Sequence, residues 1–250
     1  MKSIYKFKNL SAQKECHHLV TQKDQSAPYS LSLALHTNEN PKDIIKNRKK
    51  FSRQFPHAQF IVANQTHSAN IAIIKENKEL GWNSIKDAID NTDALISNQK
   101  NIMLNILTAD CVPILLFDPI QQVVAAVHAG WKGTKQKILL KTVIKMRKHF
   151  NSKPKDILAG IAPSIGKCCY EVNWNVAQNF QKIDNAYTQN NKKYMLDLPH
   201  INKLQLLNAG LEEKNIELSH ICTACEVKSY FSYRKEADCS GRFISMIGLI

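Results

Sequence analysis

With 250 residues, 44% of them hydrophobic and 22% charged, the chain is long enough to bury a full core, and no Pro/Gly/Ser-rich linker divides it. No stretch approaches the ~18 unbroken apolar residues of a membrane span, and Met1-Lys2-Ser3-Ile4-Tyr5-Lys6 lacks an apolar signal core, so a cytoplasmic protein with no membrane partner is expected. The formal net charge of +13 draws polyanions at a distance, yet the lysines run along the whole chain without interleaved aromatics, which argues against a nucleic-acid platform and leaves a small anion as the partner it suits.

Periodicity gives the elements in order. A helix is expected over 41–55, then strands over 60–63, 70–74, 94–96, 102–107, 112–117 and 123–127, because these apolar runs are short, β-branched and bounded by turn residues. A helix over 133–150 follows, with Ile138, Leu139, Thr142, Val143 and Met146 on one face and lysines on the other. Helices over 173–182 and 199–214 complete the pattern, the last with Pro199 at an N-terminal position. The runs 112–117 and 123–127, joined by Asp118-Pro119-Ile120-Gln121-Gln122, read as an antiparallel hairpin. The fold class is α+β, a single layered domain over 1–250 with a mixed, mostly antiparallel sheet covered by helices.

Cys111 begins one strand of that hairpin and His128 ends its partner, so the two lie side by side. His67, in Asn64-Gln65-Thr66-His67, also stands where an apolar run gives way to polar residues. A thiolate and two imidazoles match the nitrogen and sulfur preference of zinc, and three protein ligands leave a fourth, open position, the mark of a catalytic centre. The intervals of 44 and 17 residues are not those of zinc fingers, and a buried core cysteine with two unrelated histidines is the alternative.

Seven cysteines, an odd number without framework spacing, point to reduced thiols. Cys222-x-x-Cys225 has no second Cys-x-x-Cys to complete a zinc knuckle. Adjacent Cys168 and Cys169 read as packed small side chains, at most one of which faces the cleft if the segment is extended.

The words Asn91-Thr92-Asp93-Ala94-Leu95-Ile96, Thr108-Ala109-Asp110-Cys111-Val112-Pro113, Val127-His128-Ala129-Gly130-Trp131-Lys132-Gly133, Gly160-Ile161-Ala162-Pro163-Ser164-Ile165-Gly166 with Cys168-Cys169-Tyr170-Glu171-Val172, and Phe231-Ser232-Tyr233-Arg234 with Gly241-Arg242 occur in an order that resembles the laccase-domain family. Its members are also described as polyphenol oxidases, purine nucleoside phosphorylases and peptidoglycan-editing factors. The resemblance runs over roughly residues 28–250, leaving 1–27 divergent. It places the metal ligands on His67, Cys111 and His128. The chain departs from the family at Gln65-Thr66-His67-Ser68, where Gln-Val-His-Gly is usual, at Thr21-Gln22-Lys23-Asp24-Gln25 in place of Thr-Arg-x-Gly-Gly, at Leu31-Ser32-Leu33 in place of Leu-Asn-Leu, and near Glu39-Asn40, where a Gly-Asp is usual.

The resemblance implies phosphorolysis of adenosine, inosine and methylthioadenosine to free base and ribose 1-phosphate, with adenosine deamination beside it. A purine nucleoside and phosphate are then the partners, and zinc the cofactor, with copper an occupant in vitro. Asn47-Arg48 matches a family Asn-Arg, and a guanidinium binds oxyanions bidentately, so Arg48 is a candidate phosphate clamp. His36, Arg234 and Arg242 are further candidates for substrate contact. Trp131 and Tyr170 could stack on a purine, and Asp110 could orient a ligand imidazole or cap a turn. Nine histidines without repeated His-x-His pairs do not supply the trinuclear cluster of a true laccase. Two other classes remain open. One is a metal-free hydrolase in which Cys111 attacks with His128 as base, and editing of a cell-wall precursor could use either that chemistry or the same metal site; the other is a non-catalytic binding module using the basic surface.

Overall fold

The computed structural model describes residues 4–237 and 241–250. Strands Val112–Asp118 and Val123–Ala129 are buried at every position. Side chains alternate between the two faces of a strand, so an unbroken apolar run requires apolar cover on both. That cover is present. Ile114 and Leu116 pack with Val143 and Met146 of helix Ile138–Phe150 and with Ile201 and Leu206 of helix Leu198–Asn208. Leu115 and Phe117 face Leu104, Ile106, Phe243 and Ile247 of a second sheet.

The first sheet has the strand order Ile216–Leu218, Leu158–Ile161, Val112–Asp118, Val123–Ala129, Ala94–Ser97, Ile71–Ile74. The second runs Ile4–Tyr5, Cys16–Thr21, Phe243–Leu249, Ile102–Thr108, Gln59–Val62. Its outer residues Met103, Leu107, Ile244 and Met246 form a third core with Trp82 and with Phe51 of helix Pro41–Ser52. The result is a four-layer arrangement of helix, sheet, sheet and helix, mixed and mostly antiparallel. A small third sheet pairs Lys193–Leu196 with Glu171–Val172 and Tyr187–Asn190.

The expected hairpin is present, in a register that sets Val112 against Ala129 and Pro113 against His128. Helices differ more. The helix expected over 133–150 is two, Trp131–Lys135 and Ile138–Phe150, because Lys137 adopts a left-handed conformation with φ 60°. The break holds Trp131 beside the site while Ile138, Leu139, Thr142, Val143 and Met146 still face the sheet. The helix expected over 173–182 is one turn, Trp174–Ala177, followed by a 3-10 turn at Gln178–Phe180. The one expected over 199–214 ends at Asn208, ahead of Gly210 with φ +96°. The helix over 41–55 likewise stops at Ser52. Cys16–Thr21 and Phe243–Leu249, unassigned by periodicity, pair with each other inside the second sheet.

One corner positions the site. The chain leaves the second sheet at Thr108 and enters the first at Val112, turning through Asp110 at φ 89°. Cys111 lies in this crossover, where the ends of both sheets meet. Among the described residues no helix is long and apolar enough to cross a membrane.

Candidate metal centre

His67 belongs to a loop that follows strand Gln59–Val62. Gln65 fastens this loop to the neighbouring strand as a backbone would, its Nε2 donating to the Leu107 carbonyl and its Oε1 accepting from the Leu107 N–H, both at 2.9 Å. Two residues on, His67 has φ 61°, a conformation costly for a side chain of its size and held by surrounding contacts. The Asp93 carboxylate supplies them. It accepts from the backbone N–H of Thr66, His67 and Ser68 and from the Ser68 hydroxyl, at 3.2, 3.0, 2.7 and 2.7 Å.

The same carboxylate lies 2.7 Å from His128 Nδ1, a buried contact that fixes the imidazole tautomer and leaves Nε2 for the site. Burial opposes its charge, but His128 and the Ser68 groups prevail and hold Asp93 well below the usual carboxylate range. Cys111 Sγ lies 3.7 Å from His67 Nε2. Burial raises the Cys111 thiol, yet His128 and then His67 bring it down to about 6. Burial lowers His128, and Cys111 and Asp93 together raise it to about 9. In the bare protein the two therefore favour a thiolate facing an imidazolium.

The donor set fits a metal. One ligand atom from each of His67, Cys111 and His128 lies within 4.8 Å of the others. The 3.7 Å between sulfur and nitrogen is close to the ~3.6 Å edge of a zinc tetrahedron with typical bond lengths. Gly130 keeps the floor open, since a Cβ there would come within 2.8 Å of the His67 ring and 3.1 Å of Cys111 Sγ.

Above the three ligands opens a cavity of about 550 Å³, within the ~300–1,000 Å³ of small-molecule sites. Its walls include His36, Trp131, Tyr170, Arg234 and Arg242, all singled out from sequence. Burial, then Arg242, Arg48 and His128, depress His36 to about 4, so its imidazole is neutral near pH 7. Arg234 donates through Nη1 to the Glu171 carbonyl at 2.7 Å and lies 5.2 Å over the Tyr170 ring.

Two expectations are corrected. Arg48 does not line this cavity; it is buried, 1% exposed, and its Nε and Nη1 donate to the carbonyls of Leu33, Gly81 and Trp82. It stacks over Trp82 and locks the Pro41–Ser52 helix to two loops. Among the described residues Asp110 hydrogen-bonds to no imidazole and serves instead as a cap to the helix Tyr233–Glu236. Its carboxylate accepts from Thr223 Oγ1 and from the Arg234 N–H, each at 2.7 Å, and so ties C-terminal segments to the corner. The orienting carboxylate is Asp93, in the motif Asn91-Thr92-Asp93-Ala94, whose role the sequence alone leaves open. Its position just ahead of strand Ala94–Ser97, beside the hairpin, was the available signal. The four cysteines, expected as a packed pair at Cys168 and Cys169 and a Cys-x-x-Cys at Cys222 and Cys225 with no second Cys-x-x-Cys to complete it, also converge.

A family model described as multi-copper polyphenol oxidoreductase laccase matches residues 17–250. The chain is 33% identical over 228 residues to the purine nucleoside phosphorylase YlmD of Bacillus subtilis, covering 88% of this chain and 82% of that protein. It is 34% identical over 189 residues to the adenosine deaminase RL5 of an unknown prokaryotic organism, covering 73% and 72%. Among solved structures, YlmD from Geobacillus stearothermophilus superposes with a TM-score of 0.90 at 28% identity, covering 97% and 94% of the two chains. The YfiH protein of Bacillus licheniformis does so with a TM-score of 0.88 at 31% identity, covering 94% and 93%. A match over this span, with the same fold and a His-Cys-His group at the corner between the sheets, makes the chain a member of the multi-copper polyphenol oxidoreductase laccase family, relatives of which are named purine nucleoside phosphorylase.

Proposed function

We propose that the protein is a zinc-dependent purine nucleoside phosphorylase acting on adenosine, inosine and S-methyl-5′-thioadenosine, with adenosine deamination as a second activity. The observation that carries the proposal is the convergence of His67, Cys111 and His128 at the floor of a cavity walled by aromatic and cationic side chains. The names of the relatives point the same way. Among the described residues this is the one histidine-containing group of three or more ligating side chains, so a copper oxidase's multi-histidine cluster has no counterpart there and zinc is the better match.

Zinc, when bound, supplies a Lewis acid to polarise a substrate oxygen. The chain's own residues do the rest. Asp93 holds His128 in one tautomer and the His67 loop in its left-handed turn. Trp131 and Tyr170 offer faces on which a purine stacks. Neutral His36 can exchange hydrogen bonds with a ribose hydroxyl. Arg234 and Arg242 line the cavity that Arg48 does not, and they take over the phosphate role expected of it. In phosphorolysis a phosphate oxygen bonds to C1′ while the glycosidic electron pair leaves with the purine, so the site must hold an anion and an aromatic base together.

Zinc-loaded protein should release free base and the matching ribose 1-phosphate only when phosphate is supplied. Absence of product from every purine nucleoside at millimolar phosphate overturns the proposal.

A second reading rests on the alignment of Cys111, His128 and Asp93 as nucleophile, base and orienting carboxylate. It describes a metal-free cysteine hydrolase, such as one that edits a cell-wall precursor. Freshly purified protein without stoichiometric zinc, and with Cys111 selectively alkylated at neutral pH, would favour it.

A further inference from the structure

We propose that Cys168, Cys169, Cys222 and Cys225 bind a second zinc ion as a structural tetrathiolate site, separate from the His-Cys-His centre. The four sulfurs all lie within 4.8 Å of one another. Cys225 Sγ is 3.6 Å from Cys168 Sγ and 3.5 Å from Cys169 Sγ. A zinc tetrahedron with Zn–S bonds of ~2.3 Å has S···S edges of ~3.8 Å, so these two edges are within a few tenths of an ångström of it, and no other pair need close by more than about 1 Å. Four thiolate ligands and no open position are the structural, not the catalytic, pattern.

The two halves of the cluster are built to meet. The turn that follows Gly166 presents Cys168 and Cys169 on the same side, which the adjacent pair could not achieve in an extended strand. Hydrogen bonds from the N–H of Ser164 to Ile221 and from that of Thr223 to Ser164 lay the Cys222 segment alongside it. The N–H of Gly166 donates to Cys222 Sγ at 3.2 Å, the kind of backbone contact that offsets the charge of a ligating thiolate. Gly166 also packs tightly: a Cβ there would lie 3.2 Å from Cys222 Cβ and 3.4 Å from Cys168 Sγ.

The position has a consequence for the catalytic cavity. Tyr170 follows the first cysteine pair directly, and Thr223, between Cys222 and Cys225, donates to Asp110 beside Cys111. An ion held by the four sulfurs would therefore staple two segments, joined across more than fifty residues of chain, behind one wall of the cavity.

The test is metal counting on full-length protein purified under reducing conditions. Wild type should carry two zinc ions per chain, one for each group. Cys111→Ser should retain one, and in that variant cobalt substituted for zinc should show the intense thiolate-to-metal charge-transfer bands of a four-sulfur site. Cys168→Ser/Cys225→Ser should lose this ion, keep the other, and melt at lower temperature. Should the double variant fail to fold, thiol alkylation of zinc-loaded wild type decides instead: the four cysteines should be protected until a strong chelator is added. A single zinc per chain that disappears with Cys111→Ser, iron in place of zinc at the four sulfurs, disulfides among them, or free alkylation before chelation would each overturn the proposal.

Discussion

Asp93 is the residue on which the proposed metal centre turns, because one carboxylate both orients His128 and caps the loop that carries His67. Removing its charge while keeping its shape separates most of these duties. In Asp93→Asn the one remaining oxygen can still accept from Thr66 and Ser68, but the amide nitrogen faces His128 Nδ1 and the His67 N–H, so the same imidazole tautomer is not enforced and one loop bond is lost; loss of a carboxylate partner to a ligating histidine typically costs 10–100-fold in metal affinity. Zinc affinity measured by chelator competition should fall by about that factor while the unfolding midpoint of metal-free protein changes less. Unchanged affinity would show that Asp93 serves the loop alone. Arg48 makes the opposite case. Burial pulls its pKa down to about 9, and its guanidinium is satisfied by backbone carbonyls, not by an anion. Arg48→Ala would leave those carbonyls without donors and a void beneath Trp82, a loss of ~3–5 kcal/mol on the pattern of broken buried polar groups. Denaturant melts should register that loss, whereas the KM for phosphate of the fraction that folds should stay near wild type; a steep rise in KM with little change in stability would return Arg48 to the phosphate site.

Strand Cys16–Thr21 shows how an element is held by a titratable group. His18 is 4% exposed, and its Nε2 accepts the Phe7 N–H at 2.9 Å, tying the N-terminal segment to the second sheet. Burial, then Lys6 and His17, depress it to about 4. A histidine depressed in the folded state contributes stability that is present above its unfolded pKa of ~6.5 and is lost as pH falls through the folded value. The folding free energy of wild type should therefore decline between pH ~6.5 and ~4 by about 3 kcal/mol on account of this group. His18→Leu should be less stable than wild type at neutral pH, with a gap that narrows on acidification; a gap independent of pH would show that His18 is not the group responsible.

The same strand marks the limit of what the sequence discloses. Val112–Asp118 and Val123–Ala129 were legible because both faces of each are buried, so they read as unbroken apolar runs with a turn between, and the hairpin followed. Cys16–Thr21 contains His17 and His18 and pairs with Phe243–Leu249 more than two hundred residues away, so neither pattern nor proximity announces it. The split of the 133–150 helix depends on one left-handed lysine, a conformation without a residue-type signal. At the site, His67, Cys111 and His128 could be named from donor chemistry and motif. The bond from Asp93 to His128, the burial of Arg48 and the meeting of Cys168 and Cys169 with Cys222 and Cys225 could not, since each depends on how distant segments pack.

Across the whole molecule the dominant electrostatic fact is the net charge of +13. Its field is long-ranged at low salt and is screened beyond ~10 Å at 0.1 M ionic strength. A nucleoside is neutral and phosphate is an anion, so the field distinguishes the two substrates proposed for one cavity. Raising the ionic strength from about 0.01 M to about 0.5 M contracts the screening length from ~30 Å to a few ångström and should raise the KM for phosphate several-fold, since the surface no longer concentrates the anion. The KM for adenosine or inosine should change little over the same range, and so should deamination, in which water replaces phosphate as nucleophile. Initial rates in varied potassium chloride, at fixed and saturating levels of the other substrate, check this directly. Parallel rises for nucleoside and phosphate would mean that salt perturbs the cavity itself. Salt independence of both would mean that Arg234 and Arg242, at close range, bind the anion without help from the remaining surface.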